Sequence, residues 1–116
     1  MNALVAAALL AAAPGAEAFA ECVACHALEP GRNTPAGPTL HAIVGRRIAA
    51  EPGFNYSPAL RRFARSNGRW TPALLDRFLA DPEGFVPGTE MGSIGMRDAA
   101  RRRALIAWLR TAGRRN

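Results

Sequence analysis

The segment Cys22-Val23-Ala24-Cys25-His26 is the most informative stretch of this chain of 116 residues. Two cysteines separated by two residues, with a histidine directly after the second, form the attachment pattern of a c-type haem. Two thiols about one helical turn apart can each add to a vinyl group of the macrocycle, and the adjacent imidazole then lies below the iron as an axial ligand. The pattern uses both cysteines and one of the two histidines of the chain. It therefore predicts one covalently bound haem c.

Three other interpretations of the cysteine pair are open from the residues alone. A thioredoxin-like redox pair needs a strand–helix–strand setting, and nothing around Cys22 alternates in the way of a strand. A structural zinc site takes four nitrogen or sulfur ligands, whereas only His26 and the distant His41 accompany the two cysteines. A disulfide between Cys22 and Cys25 would close a loop too short to restrain much of the unfolded chain. The haem interpretation is therefore favoured.

Length and composition indicate a small cofactor-binding domain. A chain of this length forms one domain, near the size at which a hydrophobic core alone is only marginally stabilising. A large apolar macrocycle would supply much of the core. Nine prolines and eleven glycines indicate much irregular chain, which can wrap around such a cofactor. The mean hydropathy is close to zero, as is typical of a water-soluble protein.

All fifteen basic residues are arginine, and the formal net charge is +6. The arginines are scattered and no aromatic residues are interleaved with them, so the pattern does not indicate a nucleic-acid-binding surface. The one cluster, Arg101-Arg102-Arg103, lies within a helical period and is expected to be a solvated helix face. A docking patch for an acidic redox partner is the alternative.

Residues 1–14 are expected to be a signal peptide or another apolar N-terminal segment, followed by a haem domain over residues 15–116. The apolar run from Ala3 to Ala13 is too short to span a bilayer as a helix but suits the hydrophobic region of a signal peptide. It lacks the usual positive start. Because haem c is attached on the outer side of the bacterial membrane, export to the periplasm is favoured. An uncleaved membrane anchor is the alternative.

Four helical stretches separated by irregular loops are predicted, and no segment alternates with period two, so the expected fold class is all-α. Ser57 and Thr71 each precede a proline, a combination that begins helices, and Gly113 is a typical helix stop. The predicted helices cover Gly15 to Cys25, Ser57 to Ala64, Thr71 to Ala80 and Asp98 to Gly113.

Further motifs follow the haem-attachment segment along the chain. They are Gly37-Pro38-Thr39-Leu40-His41, Gly53-Phe54-Asn55-Tyr56-Ser57, Trp70, Val86-Pro87-Gly88-Thr89-Glu90-Met91 and Leu105-Ile106-Ala107-Trp108-Leu109. With these motifs the chain resembles the class I cytochromes c, in the style of their short bacterial monohaem members, from Gly15 to about Ala112. The resemblance implies about four helices wrapped with loops around one covalent haem, so that residues 15–116 form a cytochrome c domain.

The resemblance assigns the covalent attachment to Cys22 and Cys25 and the axial positions to His26 and Met91. A thioether is a soft, neutral donor that favours ferrous iron, so methionine opposite histidine suits electron transfer. The alternative for Met91 is a flexible residue that fills a gap in the core. His41 is expected to be a loop histidine and not a ligand.

The resemblance also implies supporting roles around the haem. Pro38 is expected to accept a hydrogen bond from the second imidazole nitrogen of the proximal histidine and so to fix its tautomer. Arg46, Tyr56 and Trp70 match the residues that hydrogen-bond the haem propionates, since a buried carboxylate needs a partner. Thr89 is expected to bond near the axial methionine or a propionate. The alternatives are an exposed surface charge for Arg46 and a purely structural indole for Trp70.

The chain departs from the family at several positions. Phe78 stands where many members have a tyrosine whose hydroxyl reaches the methionine sulfur, and Leu60 replaces a polar residue beside the haem. Ser93 takes the place of a phenylalanine that covers the haem edge, which predicts a haem more open to solvent. Glu83 and Glu90 stand where mitochondrial-type members carry docking lysines, so their partners are not carried over.

The resemblance implies a monomeric, non-enzymatic electron carrier. Its expected partners are transient redox proteins: a quinol-oxidising complex, a terminal oxidase, a reductase or a dehydrogenase, with membrane contact only through these partners or an uncleaved N-terminus. One alternative is a haem protein with a labile methionine ligand that acts as a peroxidase or gas sensor. Another is a subunit anchored by its amino terminus.

Overall fold

The computed structural model describes residues 13–114, so most of the predicted N-terminal segment lies outside the described residues. Five α-helices and a terminal 3₁₀ turn are joined by irregular chain in this range. They are α1 (Pro14–Phe19), α2 (Pro58–Asn67), α3 (Pro72–Ala80), α4 (Pro82–Phe85), α5 (Ala99–Thr111) and the turn Ala112–Arg114. Residues 13–114 contain no strand, only two isolated bridges. The predicted all-α fold class is confirmed.

Most of these helices begin with a proline that follows a residue with an oxygen-bearing side chain. Ser57 Oγ accepts a hydrogen bond from the backbone of Leu60 at 3.1 Å, and Thr71 Oγ1 accepts one from Leu74 at 3.1 Å. Asp98 caps α5 by accepting from Ala100 at 2.9 Å. Each cap satisfies a backbone N–H that has no partner within its helix. The predicted starts of α2, α3 and α5 are confirmed.

The first helix is shorter than predicted. Its α-helical hydrogen bonds end at Phe19, and the next turns are closed by tighter i→i−3 bonds such as Cys22 N–H to the Phe19 carbonyl at 2.8 Å. The predicted continuation to Cys25 is therefore wrong. After Phe19 the chain turns toward the cavity described below. No residue pattern in this stretch predicts that turn.

One further helix boundary and one additional helical turn differ from prediction. α2 continues past Ala64 to Asn67 because the residue able to end it is Gly68, which has φ 75°. Asp81 and Pro82 end α3 as predicted, but they also begin the single turn α4, in which Asp81 Oδ1 accepts from Gly84 N–H at 3.1 Å. Asp81 is therefore both the residue that ends α3 and the N-cap of α4.

The core forms where α1 and α3 pack against α5. Phe19 of α1 lies with its ring centroid 5.1 Å from that of Trp108, and Leu105 of α5 is fully buried. Gly15 lies directly against Trp108 and the Ala104 carbonyl, so that any side chain here would separate the two helices. No described helix combines the length and apolar character needed to cross a membrane.

Candidate haem site

One cavity of about 700 Å³ lies between the long loop 27–56, the helices α2, α3 and α5, and the segment that carries Met91. Its volume falls in the range of about 300–1,000 Å³ that is usual for cofactor sites. Every site residue named from the sequence lines it: Cys22, Cys25, His26, Pro38, Arg46, Tyr56, Trp70, Thr89 and Met91. Apolar side chains, among them Ile43, Leu75 and Leu105, form much of the remaining wall.

The turns after α1 bring the attachment residues to the cavity. The backbone N–H groups of Cys25 and His26 both donate to the Cys22 carbonyl, at 3.1 and 2.9 Å. The two cysteines form no disulfide with each other; Cys22 is half-buried and Cys25 is exposed. Burial raises the pKa of the Cys22 thiol, and the negative charge of Glu21 acts in the same direction.

His26 is held in one tautomer by the loop that follows. Its Nδ1 lies 2.7 Å from the Pro38 carbonyl oxygen, the contact expected from the resemblance. A carbonyl oxygen can only accept, so Nδ1 carries the proton and Nε2 keeps a lone pair. Burial lowers the pKa of His26, against the effect of the Pro38 carbonyl, which raises it. The neutral imidazole is the form that binds a metal.

The loop approaches His26 closely because Gly37 has no side chain. A Cβ at this position would lie 2.5 Å from His26 Cε1 and 2.9 Å from the Cys25 carbonyl oxygen. Thr34 secures the same approach, since its Oγ1 donates to the Cys25 carbonyl at 2.6 Å. Gly37 is part of the segment 37–41 that was singled out in the sequence, whereas no local sequence pattern predicted the role of Thr34.

Arg46 is a largely buried residue of the cavity wall. Its Nη1 donates to the carbonyl oxygens of Thr39 at 2.8 Å and of His41 at 2.9 Å. Its side chain is 15% exposed, so the alternative of an exposed surface charge is wrong. Its Nε is buried without a hydrogen-bond partner among the described residues. His41 contributes this carbonyl and does not line the cavity.

Tyr56 and Trp70 complete this side of the cavity. The Tyr56 hydroxyl accepts a hydrogen bond from the backbone N–H of Glu51 at 3.1 Å, and burial raises its pKa. Trp70 is 5% exposed, with its ring centroid 5.2 Å from that of Phe78. Both residues are therefore rigidly placed at the cavity, and Trp70 also has the core-packing role that was the alternative.

Two polar residues near the cavity were not identified from the sequence. Glu51 lies 3.6 Å from Arg46, and Asn33 ties the Pro52 carbonyl to the loop at 2.9 Å. On the opposite side Arg102 anchors the methionine segment. Its side chain is 12% exposed and paired with Asp76, so the expected solvated helix face is wrong at this residue. Each interaction joins residues that are distant or irregularly spaced in the chain, so no sequence period indicates it.

The segment that carries Met91 turns sharply before the methionine. Gly88 has φ 90°, and its N–H donates to Glu83 Oε1 at 3.0 Å. Thr89 N–H then donates to the Val86 carbonyl at 3.0 Å. Met91 is half-buried and packs against the core residues as well as lining the cavity.

Beyond Met91 the chain is open to solvent. Ser93 is exposed and Ile94 is 93% exposed. The segment is fixed again at Met96, whose N–H donates to the Leu79 carbonyl at 2.7 Å and whose carbonyl accepts from Arg102 Nη1 at 2.8 Å. Phe78 and Leu60 both line the cavity, so the two positions at which this chain replaces a polar residue of the family present apolar side chains there.

The residues present fit a covalently bound haem. The cavity has a wall of apolar side chains, a histidine with a free Nε2, and in Arg46 a buried donor that lacks a partner within residues 13–114. The described residues include no group of three or more His, Cys, Asp or Glu side chains that could hold a metal ion, so the zinc interpretation of the cysteine pair loses its support. The absence of strands in the same range removes that of a thioredoxin-like motif.

Comparison with known proteins agrees with this arrangement. No protein-family model matches the chain. It is 38% identical over 99 residues to cytochrome c-550 of Ancylobacter novellus, covering 85% of this chain and 92% of that one. It is 42% identical over 90 residues to cytochrome c2 of Rhodopila globiformis, covering 78% and 81%.

A solved structure, that of cytochrome cH from Methylobacterium extorquens, is similar over the same region. Its TM-score is 0.76 at 40% identity, covering 86% of this chain and 97% of that chain. The predicted family, fold and covalent haem c are thereby confirmed. The chain belongs to the class I monohaem cytochromes c.

Proposed function

We propose that this cytochrome carries single electrons with His26 and Met91 as the axial ligands of its iron, and that it is not an enzyme. The observation that carries the proposal is the convergence of His26, Met91, Cys22 and Cys25 on one largely apolar cavity. When bound, haem c supplies an iron that alternates between the ferric and ferrous states. The residues of the chain hold the haem, fix its ligands and limit access of water.

Cys22 and Cys25 provide the covalent attachment through two thioether bonds. His26 then offers Nε2, because Pro38 engages Nδ1. The hydrogen bond from Nδ1 to a carbonyl orients the ring and increases the basicity of the nitrogen that binds. His26 therefore needs no rearrangement to act as a ligand.

Met91 would hold the iron from the second side through its thioether sulfur. A neutral thioether favours the ferrous state and fits a protein that both accepts and releases electrons. Phe78, at the cavity wall, offers no hydroxyl to the sulfur, which leaves the lone pairs of Met91 available to the metal.

Arg46, Tyr56 and Trp70 are proposed to receive the haem propionates, with Thr89 on the methionine side. The unpaired Nε of Arg46 supports this role, since a buried donor without a partner is unfavourable by about 1–3 kcal/mol. A propionate at this point would satisfy it.

We further propose that residues 1–14 direct export, that residues 15–116 form the cytochrome c domain, and that the protein works in the periplasm as a monomer. Its partners would be transient: a quinol-oxidising complex, a terminal oxidase, a reductase or a dehydrogenase. Complementary charge would guide each encounter.

One observation favours a second candidate function, that of a peroxidase or gas sensor. Gly92, Ser93 and Ile94 follow Met91 directly and are all exposed, so little protein covers the ligand from that side. A methionine that leaves the iron readily would open a site for a small ligand.

Absorption spectra of the haem-loaded protein, oxidised, reduced and reduced under carbon monoxide, separate the two functions. The electron carrier predicts a low-spin spectrum, a methionine-to-iron band in the oxidised state, and no change under carbon monoxide. Met91→Ala should abolish the band, whereas the control Met96→Leu, at another half-buried core methionine, should keep it. A high-spin spectrum, or ready binding of carbon monoxide by the unmodified protein, would favour the peroxidase or sensor.

A further inference from the structure

One carboxylate, that of Glu51, lies against the arginine of the cavity wall. Its Oε2 is 3.6 Å from Arg46 Nη1, and each of the two side chains is only 15% exposed. In each of the other three ion pairs found within residues 13–114, at least one side chain is 39% exposed or more. Charges that are shielded from water interact more strongly and are less screened by salt. The Arg46–Glu51 pair is therefore the one of these four pairs in which both side chains are shielded from water.

The backbone holds Glu51 in this position. Its N–H donates to the Tyr56 hydroxyl at 3.1 Å, and the next carbonyl, that of Pro52, accepts from Asn33 Nδ2 at 2.9 Å. The segment turns tightly on either side, with φ 57° at Ala49 and 81° at Gly53. The backbone of Glu51 is therefore fixed, and from this position its carboxylate lies beside Arg46 with only 15% of the side chain exposed.

One end of the Arg46 guanidinium already has hydrogen-bond partners. Its Nη1 donates to two backbone carbonyls and lies nearest to Glu51, while its Nε remains buried without a partner among the described residues. Glu51 does not line the cavity, whereas Arg46 does. The carboxylate thus lies behind the arginine and acts on the cavity through it.

We propose that Glu51 is a positioning residue that lowers the reduction potential of this cytochrome by holding a fixed negative charge behind Arg46. Reduction adds one negative charge to the haem, and a nearby fixed negative charge disfavours that addition. Glu51 also partly offsets the positive charge of Arg46, so that the haem propionate and the iron experience less of it. The inference rests on the proposed function, because it requires the propionate to lie beside Arg46.

The consequence concerns the choice of redox partner. A lower potential makes the reduced carrier a stronger donor and a less ready acceptor. Glu51 would therefore influence which donors can reduce the protein and which acceptors can oxidise it, without touching the haem or either axial ligand.

Spectroelectrochemical titration of haem-loaded Glu51→Gln tests the proposal. The variant keeps the shape of the side chain and removes its charge. We expect the equilibrium constant for reduction by a fixed mediator to rise about three- to tenfold, which is about 30–60 mV at 59 mV per tenfold change for one electron. Because the pair is buried, the shift should persist when the salt concentration is raised.

Two variants distinguish charge from shape. Glu51→Asp keeps the carboxylate and should stay within about twofold of the unmodified protein, while Glu51→Ala should shift the potential in the same direction as Glu51→Gln. The matched control is Glu29→Gln, which removes a carboxylate 3.9 Å from Arg32 in a pair with side chains 60% and 69% exposed. Water and salt screen that pair, so no shift is expected at high salt.

An unchanged or lowered potential in Glu51→Gln and Glu51→Ala, with the haem spectrum of the unmodified protein, would overturn the proposal. So would a Glu51→Asp variant that shifts as far as the neutral ones. Failure of the proposed function would look different: the unmodified protein itself would lack the methionine-to-iron band or would not be reduced and reoxidised reversibly.

Discussion

The two sides of the cavity that carry the proposed axial ligands are built differently. On the histidine side, residues 25–56, side chains and backbone bind one another at many points, including His26 to Pro38 and Thr34 to Cys25. On the methionine side, residues 86–97, no regular structure occurs after the turn at Gly88, and the segment is fixed mainly near its two ends. The proposed ligand His26 is therefore pre-oriented, whereas the position of Met91 depends on a few anchors.

The difference shows that one cavity can be lined by a tightly hydrogen-bonded segment on one side and a loosely held segment on the other. Ring orientation matters for an imidazole, which binds through one lone pair in its plane, so its loop must be fixed. A thioether sulfur has two lone pairs on a flexible side chain and tolerates a looser segment. Substitutions on the two sides should therefore have unequal effects.

The largest contrast is expected between two glycines. Gly37→Ala places a Cβ 2.5 Å from His26 Cε1 and forces the ring or the loop to move, whereas the space around Gly92 is open. We expect Gly37→Ala to lower the free energy of unfolding by about 3 kcal/mol and Gly92→Ala to change it by less than about 0.5 kcal/mol. Denaturant titration of the haem-loaded variants measures both. Equal losses would show that the two sides are equally rigid.

The anchor at the end of the methionine segment should have the next largest effect. Arg102 Nε is 2.8 Å from Asp76 Oδ1, and Nη1 donates to the Met96 and Arg97 carbonyls at 2.8 and 2.9 Å. Arg102→Ala should lower the free energy of unfolding by about 2 kcal/mol and should let the reduced protein bind carbon monoxide. The exposed neighbour Arg103 is the control, and its alanine variant should do neither. Retained resistance of Arg102→Ala to carbon monoxide would show that this anchor does not position Met91.

An alkaline titration tests the histidine side. Tyr56 is the one tyrosine and the chain has no lysine, so few other groups titrate near pH 10. Burial raises the pKa of Tyr56 in the folded state. The folded state then holds its proton longer, so stability is complete below about pH 10 and falls by up to about 1.4 kcal/mol per pH unit until the raised pKa is passed.

Tyr56→Phe removes this dependence. It should cost about 1 kcal/mol at pH 7 through the lost hydrogen bond from Glu51 N–H, yet its stability should stay level as the pH rises above 10. Unfolding midpoints measured from pH 8 to 11.5 give the comparison. A parallel decline of both proteins would mean that another part of the molecule yields first.

The smallest contrast concerns two hydroxyls. Thr34 Oγ1 donates to the Cys25 carbonyl at 2.6 Å beside the haem attachment, while exposed Ser93 Oγ accepts from Gly95 N–H at 3.0 Å. Thr34→Ala should reduce stability by about 1 kcal/mol and Ser93→Ala by less than about 0.5 kcal/mol, both measured by thermal unfolding. A larger loss at Ser93 would reverse the order of rigidity assigned to the two sides.

Much of the fold was predictable because its signals are local. Ser57, Thr71 and Asp98 are capping residues that satisfy backbone groups a few positions away, and the haem-attachment motif contains its own chemistry. The nine predicted site residues line one cavity, and all of them except Arg46 lie within a quoted motif.

The rest was not predictable because it depends on long-range contacts. Arg102 meets Asp76 across 26 positions, and Glu51 reaches Arg46 only after the chain reverses at Ala49. Whether an arginine is buried and paired or exposed and free is decided by such contacts, and composition alone does not distinguish the two.

One titration tests the central claim most directly. Guanidinium chloride is added to the oxidised, haem-loaded protein while the methionine-to-iron absorption band and the far-ultraviolet circular dichroism are followed together. The account predicts that the band is present at the start and disappears at a lower denaturant concentration than the helices, because Met91 lies on the yielding side. Absence of the band, or its loss together with the helices in a single transition, would contradict the account.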